Sequence, residues 1–162
     1  MEPLGLQPVS TPVSGLWYED LAVGLLVHHP VRRTITETDN VLFTTMTMNP
    51  APIHLDHEYA AGTEFGRPLV NSMFTLALVV GISVHGLTMG TIVANLGFDE
   101  VTFPSPLFHG DTIGVETEIA GLRESASRPS QGIVTLEHRG FCRDTIVCRA
   151  VRTVLWHRRP TA

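Results

Sequence analysis

Leu69-Val70-Asn71-Ser72-Met73-Phe74-Thr75-Leu76-Ala77-Leu78-Val79-Val80-Gly81-Ile82-Ser83-Val84 is mostly apolar, interrupted by Asn71, Ser72, Thr75, Gly81 and Ser83. A membrane span needs about 20 apolar residues. This shorter, polar-punctuated run is therefore expected to be a core helix over about 71–84. Its apolar residues lie all round, which predicts an enclosed helix rather than an amphipathic one. From Thr91 onward the pattern changes to strands, expected at 91–98, 99–103, 112–125, 133–142 and 145–157. Gly110-Asp111 and Arg143-Asp144 mark turns between them. One enclosed helix followed by antiparallel strands predicts an α+β fold with the sheet wrapped around the helix. Some strand sequences are apolar on both sides, a weak pointer to a homodimer.

Upstream of the helix, Met48-Asn49-Pro50-Ala51-Pro52-Ile53-His54-Leu55-Asp56 places an amide, a histidine and a carboxylate on one short stretch. Proline fixes φ and disfavours helix in the preceding residue. Asn49 and Ala51 are thus held extended or in a turn, and His54 leaves a rigid segment. A histidine can take or give a proton near neutral pH; packing is the plainer reading of any one of eight histidines. Asn49 can orient a water or carbonyl but cannot act as a Brønsted base, and asparagine is also a common turn residue. Asp56 reads as the N-cap of a helix over 57–64, and Thr38-Asp39 as the cap of a short helix over 40–47. Asn71 and Ser72 open the core helix, whose first N–H groups lack intrahelical partners. They can stabilise an oxyanion if they meet a cleft; capping by Asn71 is the simpler alternative.

The remaining composition bounds the function. With 162 residues the chain fits one domain, expected over 16–159 after a flexible N-terminal arm over 1–15. A net charge of −5 argues against bulk nucleic-acid binding. All eleven basic residues are arginine, which suits bidentate contact with phosphate or carboxylate; genome composition explains that bias equally well. Cys142 and Cys148, placed on one extended strand, lie roughly 20 Å apart, too far for a disulfide. Reduced thiols and the lack of a leader pattern are the basis for expecting a cytoplasmic protein, with no metal and no membrane association.

Three segments together resemble the MaoC-like family of (R)-specific enoyl-CoA hydratases. They are Asn49-Pro50-Ala51-Pro52-Ile53-His54-Leu55-Asp56, Phe65-Gly66-Arg67-Pro68-Leu69-Val70-Asn71-Ser72-Met73 and Phe103-Pro104-Ser105-Pro106-Leu107-Phe108-His109-Gly110-Asp111. The match covers roughly residues 17–157. Through Glu64-Phe65-Gly66-Arg67-Pro68-Leu69-Val70-Asn71-Ser72, Asn95-Leu96-Gly97-Phe98-Asp99-Glu100-Val101, and Arg123-Glu124-Ser125 with Ser127-Arg128-Pro129, the chain is most similar to the branch acting on mesaconyl-CoA or itaconyl-CoA. The resemblance implies a hotdog fold and a lyase that adds water across the C2–C3 double bond of a short dicarboxylic enoyl-CoA. It implies no cofactor beyond the CoA of the substrate, and a homodimer or dimer of dimers with sites at subunit boundaries.

The resemblance also implies residue roles. His54 is the catalytic histidine, Asn49 stands where the family has its aspartate, and the Ser72 backbone N–H forms the oxyanion hole. Asn71, Arg67, Arg123 and Arg128 are expected to bind substrate. Because Asn49 replaces the aspartate, His54 alone, Asp56 or a substrate carboxylate would complete the proton transfers. A hotdog thioesterase and a non-catalytic acyl-CoA-binding subunit are the alternative readings.

Overall fold

A computed structural model describes residues 15–160; the expected arm over 1–15 lies outside it except for Gly15. The elements in chain order are β1 (Leu26–His28), β2 (Arg33–Thr34), α1 (Glu37–Met46), α2 (Pro52–Leu55), α3 (His57–Ala61), α4 (Ser72–Ile82), β3 (Ile92–Thr102), β4 (Thr112–Glu124), β5 (Gln131–Cys142) and β6 (Thr145–His157). The strands form one six-stranded antiparallel sheet in the order β1-β4-β5-β6-β3, with β2 also paired to β4. α4 packs on β4, β5 and β6. Among the described residues, no helix is long and apolar enough to cross a membrane.

Several local expectations change. α1 starts one turn earlier than expected, because Thr36 rather than Thr38-Asp39 is its cap. The Thr36 hydroxyl accepts from Asp39 N–H at 3.2 Å, and Asp39 Oδ2 accepts from Thr36 N–H at 2.9 Å, a reciprocal capping box. The two strands expected at 91–98 and 99–103 are one strand, β3, whose register shifts three times against β6. Such bulges break the two-residue alternation that marks a single strand. Cys142 and Cys148 are not on one strand: the Arg143-Asp144 turn separates them onto β5 and β6, and both are free thiols.

α4 is also less enclosed than its composition predicts. Thr75, Val79 and Ile82 are buried, whereas Met73 is 51% exposed and Ala77 and Gly81 are exposed. A single sheet covers only one side of the helix. The outer face of that sheet carries ion pairs rather than an apolar surface. Arg139 bridges Glu116, Glu118 and Glu137, and Arg149 bridges Glu137 and Glu100.

The inner face of the sheet buries two apolar clusters with a polar line between them. One cluster holds Ile35, Val70, Val79, Ile113, Val115 and Cys148; the other holds Leu87, Ile119, Leu136, Val154 and Trp156. Between them Arg152 Nε–H donates to His138 Nε2 at 2.8 Å. His138 Nδ1 lies 2.7 Å from Thr117 Oγ1, which lies 2.9 Å from His29 Nε2. Because the arginine can only donate, it fixes the direction of the whole line. His138 donates from Nδ1, and Thr117 donates to His29. His29 Nδ1 is left facing the His85 carbonyl without closing a full hydrogen bond. Arg152 is 3% exposed, and burial lowers its pKa to about 10 with no acid offsetting that loss.

Two histidines of this line, with His109 near α1, make the fold sensitive to acid. Burial, aided by the Arg152 charge, pushes His138 down to about 3, and burial also lowers His29 and His109. Depressed bases bind protons in the unfolded chain first. Stability is therefore complete above the unfolded value of about 6.5 and declines as pH falls through it toward the folded value. Each such histidine contributes a slope of up to about 1.4 kcal/mol per pH unit in that window. Urea titrations at pH 7.5 and pH 5 are expected to show the weaker fold at pH 5. Equal midpoints would contradict neutral, buried imidazoles.

Candidate active site

The His54 segment folds as its prolines dictate. Pro52 occupies the first turn of α2, where its missing N–H costs nothing. Asp56 caps α3 by accepting from Tyr59 N–H at 2.9 Å, the structural role read from the sequence. His54 Nδ1 lies 3.0 Å from the Leu69 carbonyl oxygen. A carbonyl can only accept, so Nδ1 carries the hydrogen and, in the neutral imidazole, Nε2 keeps its lone pair. The structure thus holds His54 in the tautomer that a general base at Nε2 requires.

Asn49 shares the loop but makes no hydrogen bond to the imidazole among the described residues. Its Oδ1 accepts from Ala51 N–H at 3.0 Å, and its N–H donates to Thr44 O at 3.0 Å. This is an Asx-type turn. The preceding Met48 sits at φ 57, the left-handed conformation that commonly ends a helix, here α1. Asn49 lines an apolar cleft with Thr45, Met48, Pro50 and Leu55.

The start of α4 lies on a different cavity of about 310 Å³, lined by Phe65, Leu69, Ser72, Thr75 and Phe103, among others. Asn71 is the N-cap, accepting from Met73 N–H at 3.0 Å. The Ser72 N–H makes no hydrogen bond among the described residues. Leu69 therefore links the two parts: its carbonyl holds His54, and the residue also lines the Ser72 cavity.

Arg67 is close to this region, with its guanidinium 3.8 Å from the centroid of the Phe108 ring. Arg123 and Arg128 are not brought there within one protomer. Arg123 is near the far end of β4, eleven residues beyond Thr112, or roughly 35 Å at strand rise. Arg128 lies in the β4–β5 loop and contacts Gln131 at 3.4 Å. Strand length decides this separation, which spacing in the sequence does not show.

Two polar residues of the site carry no signal in the sequence reading. Asn40 is fully buried on α1. Its Oδ1 accepts from Asn71 N–H at 2.8 Å; its Nδ2 lies 3.0 Å from Leu69 O, 3.1 Å from His109 Nε2 and 3.3 Å from His54 O. His109 sits inside the third quoted segment, between Phe108 and the Gly110-Asp111 turn. Thr44, one turn after Asn40 and also fully buried, accepts from Asn71 Nδ2 at 3.3 Å.

Residues 21–140 match the MaoC like domain. The chain belongs to the MaoC-like domain family. Among its relatives, a mesaconyl-CoA hydratase of Cereibacter sphaeroides is 29% identical over 92% of this chain, which spans only 43% of that protein. A crystal structure of a MaoC-like dehydratase from Rhodospirillum rubrum superposes with a TM-score of 0.81 at 32% identity, covering 91% of this chain and 100% of the other. A Mycobacterium tuberculosis protein described as a double hotdog fold gives a TM-score of 0.81 at 23% identity, over 94% of this chain and 47% of that one. The sheet around α4 in this MaoC-like chain is thus a hotdog fold.

Proposed function

We propose that this MaoC-like chain is a hydratase/dehydratase of CoA thioesters, acting on a short, branched dicarboxylic enoyl-CoA of the mesaconyl-CoA or itaconyl-CoA type. The observation that carries the reading is the His54–Leu69 hydrogen bond, which leaves Nε2 free to accept a proton. In hydration, His54 Nε2 takes a proton from water as the water oxygen bonds to C3. The C2–C3 π electrons move toward the thioester carbonyl, and the Ser72 N–H, at the positive end of α4, stabilises the oxyanion. The imidazolium then returns its proton to C2, so atoms and charge balance without a second base or a cofactor. Dehydration runs the same steps in reverse. Arg67, held on Phe108, suits the second carboxylate of such a substrate.

A homodimer or dimer of dimers is part of the same reading. It is supported by β3 at the sheet edge with Leu96 53% and Phe98 40% exposed, and by the uncovered side of α4. A partner would then bring its own surface to a site that is open in one chain, and Arg123 and Arg128 to a site of another.

The second reading is a non-catalytic acyl-CoA-binding subunit, favoured by the commitment of Asn49 to its own turn. A panel of mesaconyl-, itaconyl- and crotonyl-CoA, followed by loss of enoyl-thioester absorbance and product identification, separates the two. Turnover fastest with a dicarboxylic ester is expected. Binding without turnover, with activity appearing in Asn49→Asp, would establish the subunit instead. Release of free CoA would make the protein a thioesterase.

A further inference from the structure

Asn40 touches both halves of the candidate site, and nothing in the motifs assigns it a role. Its orientation is unambiguous. Asn71 N–H can only donate, so the atom 2.8 Å from it is the amide oxygen, and the amide nitrogen must face Leu69. That nitrogen has two hydrogens, and its two shortest contacts are Leu69 O at 3.0 Å and His109 Nε2 at 3.1 Å. The Leu69 carbonyl therefore receives two donors, Asn40 Nδ2–H and His54 Nδ1–H, one for each lone pair. His109 must present a bare Nε2, which agrees with the lowering of its pKa by burial.

Backbone bonds hold the neighbouring N–H groups, but among the described residues none reaches the Leu69 carbonyl. Leu69 N–H donates to Ile53 O at 3.0 Å, and Val70 N–H to Leu107 O at 2.9 Å. Asn71 N–H is the next donor along the chain, and its acceptor is a side chain rather than backbone. Asn40 and Thr44 lie four residues apart on one face of α1, and both reach Asn71. The start of α4 is thus registered against α1 by two buried side chains, and the acceptor of His54 by one of them.

We propose that Asn40 is a positioning residue that holds the base and the oxyanion donor in one frame, fixing the His54 tautomer through the Leu69 carbonyl and the start of α4 through the Asn71 N–H. This rests on the assignment of His54 and Ser72 made above. Asn40→Asp keeps an acceptor for Asn71 but removes both donors. Asn40→Leu keeps the branching of the side chain, at a larger volume, and removes every hydrogen bond. In either variant the Leu69 carbonyl keeps His54 as its remaining side-chain donor but is no longer tied to α1. The carbonyl is then free to swing away from Nδ1, and wherever it does so His54 gains access to the Nε2–H tautomer, which cannot act as a base.

The test combines kinetics with nitrogen NMR of histidine-labelled protein, using the CoA ester turned over fastest. Folding of each variant is checked by circular dichroism, so that one folded variant suffices. A fall in kcat of about 10- to 100-fold is expected, as for small misplacements of reacting groups, with KM changed less than about threefold. His54 in the parent protein should show a protonated Nδ1 and bare Nε2, and a tautomer mixture in the variant. A loss of kcat with an unaltered His54 spectrum would make Asn40 merely structural and overturn the proposal, as would unchanged kcat. The NMR reading does not depend on turnover. If His54→Gln leaves activity intact, the catalytic assignment fails, whereas an altered tautomer in the Asn40 variants still reports the positioning.

Discussion

His54→Ala is expected to lower kcat by about 10²–10⁴-fold, the range for loss of a general acid/base. The reason is specific to this site. Asn49 is an amide whose oxygen is occupied by Ala51 N–H, and Asp56 is occupied in capping α3. Neither is placed to take over the proton transfers, so the full loss should appear. His54→Gln is the informative companion, because its amide can still donate to Leu69 O but cannot accept a proton. Both variants should lose activity alike with KM little changed. Activity retained in His54→Gln would move His54 from proton transfer to packing.

Ser72→Pro is expected to lower kcat by about 10²–10³-fold, the loss that follows removal of one oxyanion donor. Proline at the first helical position is compatible with the fold, since that N–H has no intrahelical partner and the ring fixes a helical φ. The preceding Asn71, at φ −60 and ψ 127, already has the extended conformation that a following proline demands. The substitution therefore removes a hydrogen-bond donor with little disturbance of α4. Ser72→Ala retains the N–H while losing the same hydroxyl, so the ratio of the two variants reads the N–H alone. A ratio near one would place the thioester carbonyl elsewhere.

The sequence exposes the parts of this molecule that are local. The apolar helix, the two long hairpins of β4 to β6 and the Asp56 cap follow from composition, alternation and turn chemistry. His54 and Ser72 are legible as candidates because prolines and a helix start flag them, and the motif resemblance adds their order. What is missing is tertiary. Asn40 and Thr44 sit in a helix without distinctive periodicity, and their value lies in contacts 31 and 27 residues away. The reach of Arg123 depends on the length of β4, and the exposure of α4 on which surfaces one sheet can cover. β3 reads as two strands because its bulges interrupt the pattern.

The polar line from Arg152 to His29 also decides how damage spreads in this protein. It runs across β6, β5 and β4 between two apolar clusters, so the interior is two compartments with a hydrogen-bonded partition rather than one continuous packing unit. Side chains on opposite sides share few neighbours, and free-energy losses at sites without shared partners sum. A void opened beside Trp156 leaves the compartment that backs the candidate site intact. A substitution near α4 and one near Trp156 therefore each draw on the same total stability, without either magnifying the other.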